Sequence, residues 1–494
     1  MPTSSYDLVV LGDEFAGVVA ATLAASRGLR VLLASTGDLP DAYEVGPYRL
    51  PTRPLALAGL ASPAAARVIG ELNFGHLLKR RMRDHAPAFQ LIAPDARLDV
   101  TGDDDALAAE LARDAPAAAD AALAVARAAR DVSAHLDPLL GQSIAFPPVK
   151  FFDRREVARF DEPLAAAGAA VDAAAAAAPI ARALAAAPAA FGTCLDPATG
   201  SPVAAGRALD QWRRGVPHLP GGRAALRTIF LDKFDSHGGE RRAVEPEAIL
   251  VSWGKATGVR LRDGEEIGAE HVVCAMPVAR VRELLAKPPR RLEPIAGALR
   301  PAAYRYTLNL VVAEAGIPEG MAATALVVAD PARPPVGDNA LAVFVSEPDD
   351  EARAVVTVEA LWPCPAGTTA PPDDGALADL RVRVRERLED VMPFSSGHVL
   401  AAHSPNEIAD PERIAARASL AEPLAPAPVW RVDGALLLGV AAAPYPLGVK
   451  RLTLASTQVL PGLGLEGELQ AGWCAALIAC GGAKKRDGLA VGAS

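Results

Sequence analysis

The residues with the types and spacing to do chemistry gather in one stretch, residues 6–36, YDLVVLGDEFAGVVAATLAASRGLRVLLAST. Gly12, Glu14 and Gly17 stand at the three key positions of a G-x-G-x-x-G loop. Such a loop sets a helix N-terminus against the diphosphate of a dinucleotide. Each glycine of the pattern has its own reason. The first permits the tight turn, the second lets the backbone approach the pyrophosphate, and the third lets the helix pack close to the strand. Gly12 and Gly17 keep the first and third roles, while Glu14 replaces the second. A carboxylate about 4 Å from a phosphate charge repels it by roughly 4 kcal/mol at an effective dielectric near 20. That corresponds to about a thousandfold in affinity. The acid that would hold a ribose at the end of the second strand is also missing, since Ala34 and Ser35 stand there.

The elements that must carry this loop are legible around it. Residues 7–11 are a short apolar run rich in Val and Leu, residues 17–26 are small and apolar at helical spacing, and residues 30–33 form a second apolar run. Strand, glycine turn, helix and strand make the first βαβ unit of a dinucleotide-binding fold. Further along, residues 63–76 and 103–140 have helical composition, with Asp103 to Asp105 suited to a helix start. Residues 89–100 read as a hairpin around a Pro-Asp turn, and residues 164–190 as an alanine-rich helix pair broken at Pro179 and Pro188. A helix over 224–234 precedes strands at 249–253, 257–261 and 271–275, with Asp263-Gly264 as a tight turn. Strands are expected at 306–313 and 341–345, and an amphipathic helix at 377–391. The run LLLGV at 436–440 reads as a last buried strand, and residues 461–480 as a glycine turn followed by a helix.

Composition narrows the function class. With 494 residues and 51% hydrophobic content, the chain can build two or three domains. A net charge of −9 argues against binding a nucleic-acid backbone. The five cysteines (Cys194, Cys274, Cys364, Cys474, Cys480) are scattered, with no C-x-x-C pair. They suggest neither a disulfide framework nor a zinc site, which fits a reducing, cytoplasmic setting. The eight histidines show no ligand spacing, and no metal is expected. The most apolar long run, 165–191, is interrupted by Asp172, Pro179, Arg182 and Pro188 and does not read as a membrane span. Peripheral contact with a membrane surface stays open.

With these pieces in order, the chain resembles the flavin amine oxidase and phytoene desaturase superfamily over nearly its whole length. The resemblance rests on the N-terminal βαβ unit, the hairpin FQLIAPDARLDV, the turn-helix PGGRAAL and the run ATGVRLRDGEEIGAEHVVCAMP. LPGLGLEGELQAGWCAALIA closes the match. It implies an α/β architecture, a Rossmann-like FAD/NAD(P)-binding domain assembled from separated segments (1–60, 206–290 and 431–494). A substrate domain with α+β character (61–205 and 291–430) is inserted between them.

The same resemblance assigns cofactor positions. Gly12 and Gly17 match the phosphate loop, Glu14 departs from it, and Ala34 or Ser35 replaces the ribose acid. The Gly-Gly pair usual after the second strand is absent from residues 37–40. Val244 falls near the adenine edge, and Gly462 and Gly464 fall where the backbone would meet the flavin ring. Gly439-Val440 stands for the Gly-Asp pair whose aspartate would hold the ribityl and phosphate part of FAD. Lys450 and Arg451 follow the run at 436–440 and would lie near the flavin. The expectation is a flavoprotein fold with FAD binding weak or lost, acting as a non-catalytic binding or scaffold protein for a lipophilic ligand or a protein partner. The Rab GDP-dissociation inhibitor and escort proteins are a precedent in kind, resembling the same fold without flavin. The alternative is an active FAD-dependent oxidoreductase, desaturase- or isomerase-like, on an apolar substrate. No catalytic residue is assigned.

Overall fold

A computed structural model of the chain describes residues 4–35, 40–54, 57–407, 420 and 422–482. Two sheets organise it. In the first, Ser4–Leu11 lies between Val31–Ser35 and Glu266–Cys274, all parallel. Glu240–Ala243 extends the sheet beyond Val31–Ser35, and the antiparallel strands Lys255–Leu261 and Pro246–Ser252 extend it on the other side. The short strand Leu452–Leu454 joins in parallel against Val272–Cys274.

The paired stretches 8–11, 31–34 and 272–274 of the central strands are apolar, as expected of a parallel sheet covered on both faces. The helix Phe15–Ser26 packs on this sheet and is itself covered by the helix Gly464–Gly482. Gly472 makes that crossing close, because a Cβ there would sit 2.5 Å from the Ala16 carbonyl oxygen.

The second sheet has eight strands. The long strand Leu299–Ala313 pairs antiparallel with Arg353–Pro363 and, on its other side, with Val399–His403 and Ala427–Val432. Beyond Arg353–Pro363 come Gly337–Val345, Thr324–Val328 and the hairpin Phe89–Ala93 with Ala96–Val100. Helix Asp374–Val391 buries Leu377, Leu380, Val384 and Leu388 against one part of this sheet. Helices Asp104–Asp114, Ala119–Leu140 and Pro179–Gly192 pack elsewhere against it.

Several expectations change in detail. The helical stretch 103–140 is two helices, divided at Pro116, whose ring and missing N–H stop the first. Residues 63–76 likewise split into Pro63–Glu71 and Gly75–Arg81, with Asn73 between them at φ 58°. The run 436–440 is not a strand. Leu438 and Gly439 adopt φ 51° and 71°, and the backbone folds into a turn. The strand that enters the parallel sheet before the last helix is Leu452–Leu454 instead. Residues 37–39 of the loop after the second strand lie outside the described residues. Among the described residues, no helix is long and apolar enough to cross a membrane. Nor is there, among them, a group of three or more His, Cys, Asp or Glu side chains that could hold a metal ion.

Candidate functional site

Gly12 and Gly17 do the structural work their positions imply. The Gly12 N–H donates to the Ala34 carbonyl at 2.9 Å. A Cβ on Gly12 would lie 2.4 Å from the Ala275 carbonyl oxygen, and one on Gly17 would lie 2.1 Å from the Ala275 Cβ. Both therefore let the turn and the helix close onto the end of Glu266–Cys274.

Glu14 occupies the N-cap position of the helix Phe15–Ser26, but its side chain makes no cap. Its carboxylate instead crosses to the segment that follows Leu452–Leu454. There it accepts a hydrogen bond from the Thr457 N–H at 2.6 Å and one from the Ser456 hydroxyl at 3.2 Å. Burial pushes its pKa above the usual carboxylate value, and the bonds from Thr457 and Ser456 offset this only in part.

This geometry corrects the position of the Gly-Asp pair. Residues 455–457 directly follow the strand that ends the parallel sheet, so Ser456-Thr457 takes the place expected of Gly439-Val440. Gly439 and Val440 are packed elsewhere. A Cβ on Gly439 would collide with Ser201 Oγ at 2.5 Å, and the Val440 carbonyl accepts from the Gly462 N–H at 3.0 Å. The misplacement has a simple cause. Five consecutive apolar or small residues look like a buried strand, whereas the real strand is only three residues long. Lys450 and Arg451 precede that strand rather than follow it, and Arg451 pairs with Glu270 at the surface.

Gly462 and Gly464 are used for packing of the chain on itself. A Cβ on Gly464 would lie 2.0 Å from the Gly192 carbonyl oxygen, and one on Gly462 would lie 2.7 Å from the Val440 Cα. Ala34 is fully buried in the sheet, while Ser35 reaches the cavity described next. Val244 is half-buried, and its neighbours Glu245 and Pro246 line the same cavity.

A cavity of about 490 Å³ lies between the two sheets. One wall is the loop of Gly12, Asp13, Glu14 and Phe15, with Ser35, Ala275, Met276 and Thr457. The other carries Cys194 and four arginines that no motif or spacing connects: Arg53, Arg223, Arg227 and Arg305. Arg223 and Arg227 are brought in by the helix Gly222–Ser236, which the turn at Pro220 and Gly221 launches; Gly221 holds φ 80°. Arg305 comes from the strand Leu299–Ala313 of the second sheet. Arg223 pairs with Glu468, and Arg305 pairs with Glu359. Burial lowers the Arg223 pKa to about 10, and the neighbouring Arg53 and Arg305 charges push the same way. Burial also lowers Arg53, with Arg305 adding to the effect and Glu359 opposing it. In Arg305 burial acts downward too, but Glu359 and Cys194 together outweigh it and the net direction is up.

Comparison with solved structures settles the architecture. An oxidoreductase from Methanosarcina mazei superposes with a TM-score of 0.57 at 13% identity, covering 94% of this chain and 98% of its own. Cyclohexylamine oxidase from Brevibacterium oxydans gives 0.57 at 15% identity, covering 96% and 99%. A putrescine oxidase variant gives 0.55 at 13% identity, covering 96% and 99%. The chain shares the fold of these oxidoreductases. Likeness at this identity establishes fold and not activity. No protein-family model matches the sequence, and no curated protein matches it either. Within this fold, the cavity lies beside the loop of the first βαβ unit, where folds of this kind receive dinucleotides.

Proposed function

We propose that this chain is a binding protein on a flavoprotein scaffold, taking a lipophilic ligand in the cavity between its sheets and no longer holding FAD tightly. The observation that carries this reading is the pair of hydrogen bonds that Glu14 receives from Thr457 and Ser456. A cofactor diphosphate at the loop needs donors and tolerates no fixed negative charge. Here the protein's own carboxylate occupies a backbone donor next to the loop and brings charge of the same sign. Ala34 in place of a ribose acid, and Ser456-Thr457 in place of Gly-Asp, support the same reading. The residues present therefore fit the diphosphate of FAD poorly, and no redox step is assigned to them.

The test is the purified protein itself. Its visible spectrum and intact mass should show no flavin carried through purification. A yellow protein with one FAD per chain would instead support an oxidoreductase acting on an apolar substrate. The near full-length likeness to amine oxidases and the cavity that still reaches Gly12 and Ser35 favour that second reading.

A further inference from the structure

The cavity wall farthest in sequence from the glycine loop carries a charge pattern of its own. Arg53, Arg223 and Arg305 line the large cavity, and all three also line a smaller one of about 70 Å³ behind it. They form the partition between the two. Their fields overlap: Arg223 feels both Arg53 and Arg305, and Arg53 feels Arg305. Against these three guanidiniums stand two carboxylates, each already engaged, Glu468 with Arg223 and Glu359 with Arg305. The carboxylate acting on Arg53 is the same Glu359. Arg53, Arg223 and Arg305 thus outnumber by one the two carboxylates paired among them; Arg227 lies on the same wall, and Asp13, Glu14 and Glu245 also line the cavity. On the facing wall, Glu14 is held by Thr457 and Ser456 rather than by an arginine.

Gathering like charges inside a protein is costly unless a counter-charge joins them. Guanidinium groups match planar carboxylates with paired N–H donors. Phe15, Ala224, Met276 and Pro428 give the large cavity an apolar part, while Asp13, Glu14, Glu245 and Glu468 also line it. We infer that Arg53, Arg223 and Arg305 form a carboxylate-binding site, and that the ligand is an amphipathic acid whose apolar body lies in the large cavity. This rests on the reading of the cavity as a ligand site, and it names the ligand class.

The experiment is calorimetric titration of the full chain with laurate and with dodecanol, which share a twelve-carbon body and differ in the acid group; FAD is titrated in parallel. Laurate should bind one per chain, at least about tenfold tighter than dodecanol. Arg53→Gln should abolish that preference while leaving dodecanol unchanged. Arg282→Gln, which alters a surface arginine outside the cavity paired with Glu293 at 2.7 Å, should leave both unchanged. Should Arg53→Gln fail to fold, the wild-type comparison of the two probes still decides. Equal binding of laurate and dodecanol, no binding of either, or a laurate preference that survives Arg53→Gln would overturn the inference. Stoichiometric FAD binding together with an Arg53-dependent laurate preference would sink only the reading of the Glu14 loop. FAD and laurate therefore report the two ideas separately.

Discussion

The two walls of the cavity handle buried charge in opposite ways. On the loop wall, Glu14 is matched internally, its carboxylate bonded to the Thr457 N–H and the Ser456 hydroxyl. On the opposite wall, Glu359, the acid that acts on Arg53, is paired with Arg305. The first arrangement is complete without a ligand, and the second invites one. The frame of the fold and the charges along its cavity are thus held by different residues. The glycines that shape the turn are tied to Ala275 by contact distance and cannot change cheaply.

A third buried charge calibrates the contrast. Arg207 is almost fully buried, bonded through two nitrogens to Glu466 at 2.9 and 2.7 Å, and paired with Asp137 at 2.7 Å. It ties the helix Pro202–Arg213 to the start of Gly464–Gly482. Arg207→Met should leave Glu466 buried and unmatched and lower stability by about 3–5 kcal/mol, measured by denaturant unfolding. If arginines at the cavity are merely structural, Arg53→Gln should behave the same way. If instead they await a ligand, Arg53→Gln should keep or raise stability, within about 1 kcal/mol, because it removes a buried charge and breaks no ion pair among the described residues.

The smallest effect concerns Glu14 and sharpens the other side of the comparison. Its folded pKa is raised by burial, so the folded state favours the protonated acid. That contribution is fully present below the ordinary glutamate pKa and is lost as pH rises through the higher folded value. Glu14→Gln keeps an oxygen for the Thr457 N–H and removes the charge. Its stability should match or exceed that of the wild type at pH 7, by up to about 1 kcal/mol. The gap should close as pH falls toward 4, as read from melting temperatures across that range. A gap that widens on acidification would mean that Glu14 is stabilised as the anion.

The legible and illegible parts of the sequence divide along physical lines. The βαβ unit, the hairpin at 89–100 and the helix after Pro220 were legible because their signals are local: apolar period, glycine at a turn, proline at a break. Gly12 and Gly17 were legible for the same reason. The place of Ser456-Thr457 was not, since Leu452–Leu454 is too short to outweigh the longer apolar run at 436–440. The bond from Thr457 to Glu14 joins residues more than four hundred positions apart, so no spacing could announce it. Arg53, Arg223 and Arg305 were invisible as a set, because only the packing of the second sheet against the first brings them to one wall. Arg223 alone stood within a quoted motif, PGGRAAL, and there it read as part of a helix start.

The central claim is that the Glu14 carboxylate holds the position a diphosphate would need. The most direct measurement is equilibrium titration with FAD at pH 7, followed by flavin fluorescence, on the wild type and on Glu14→Gly. The account predicts no saturation of the wild type at micromolar FAD and a gain of roughly a hundred- to a thousandfold in Glu14→Gly, the size expected from removing one like charge. Tight one-to-one binding by the wild type, with Glu14→Gly no better, would contradict it.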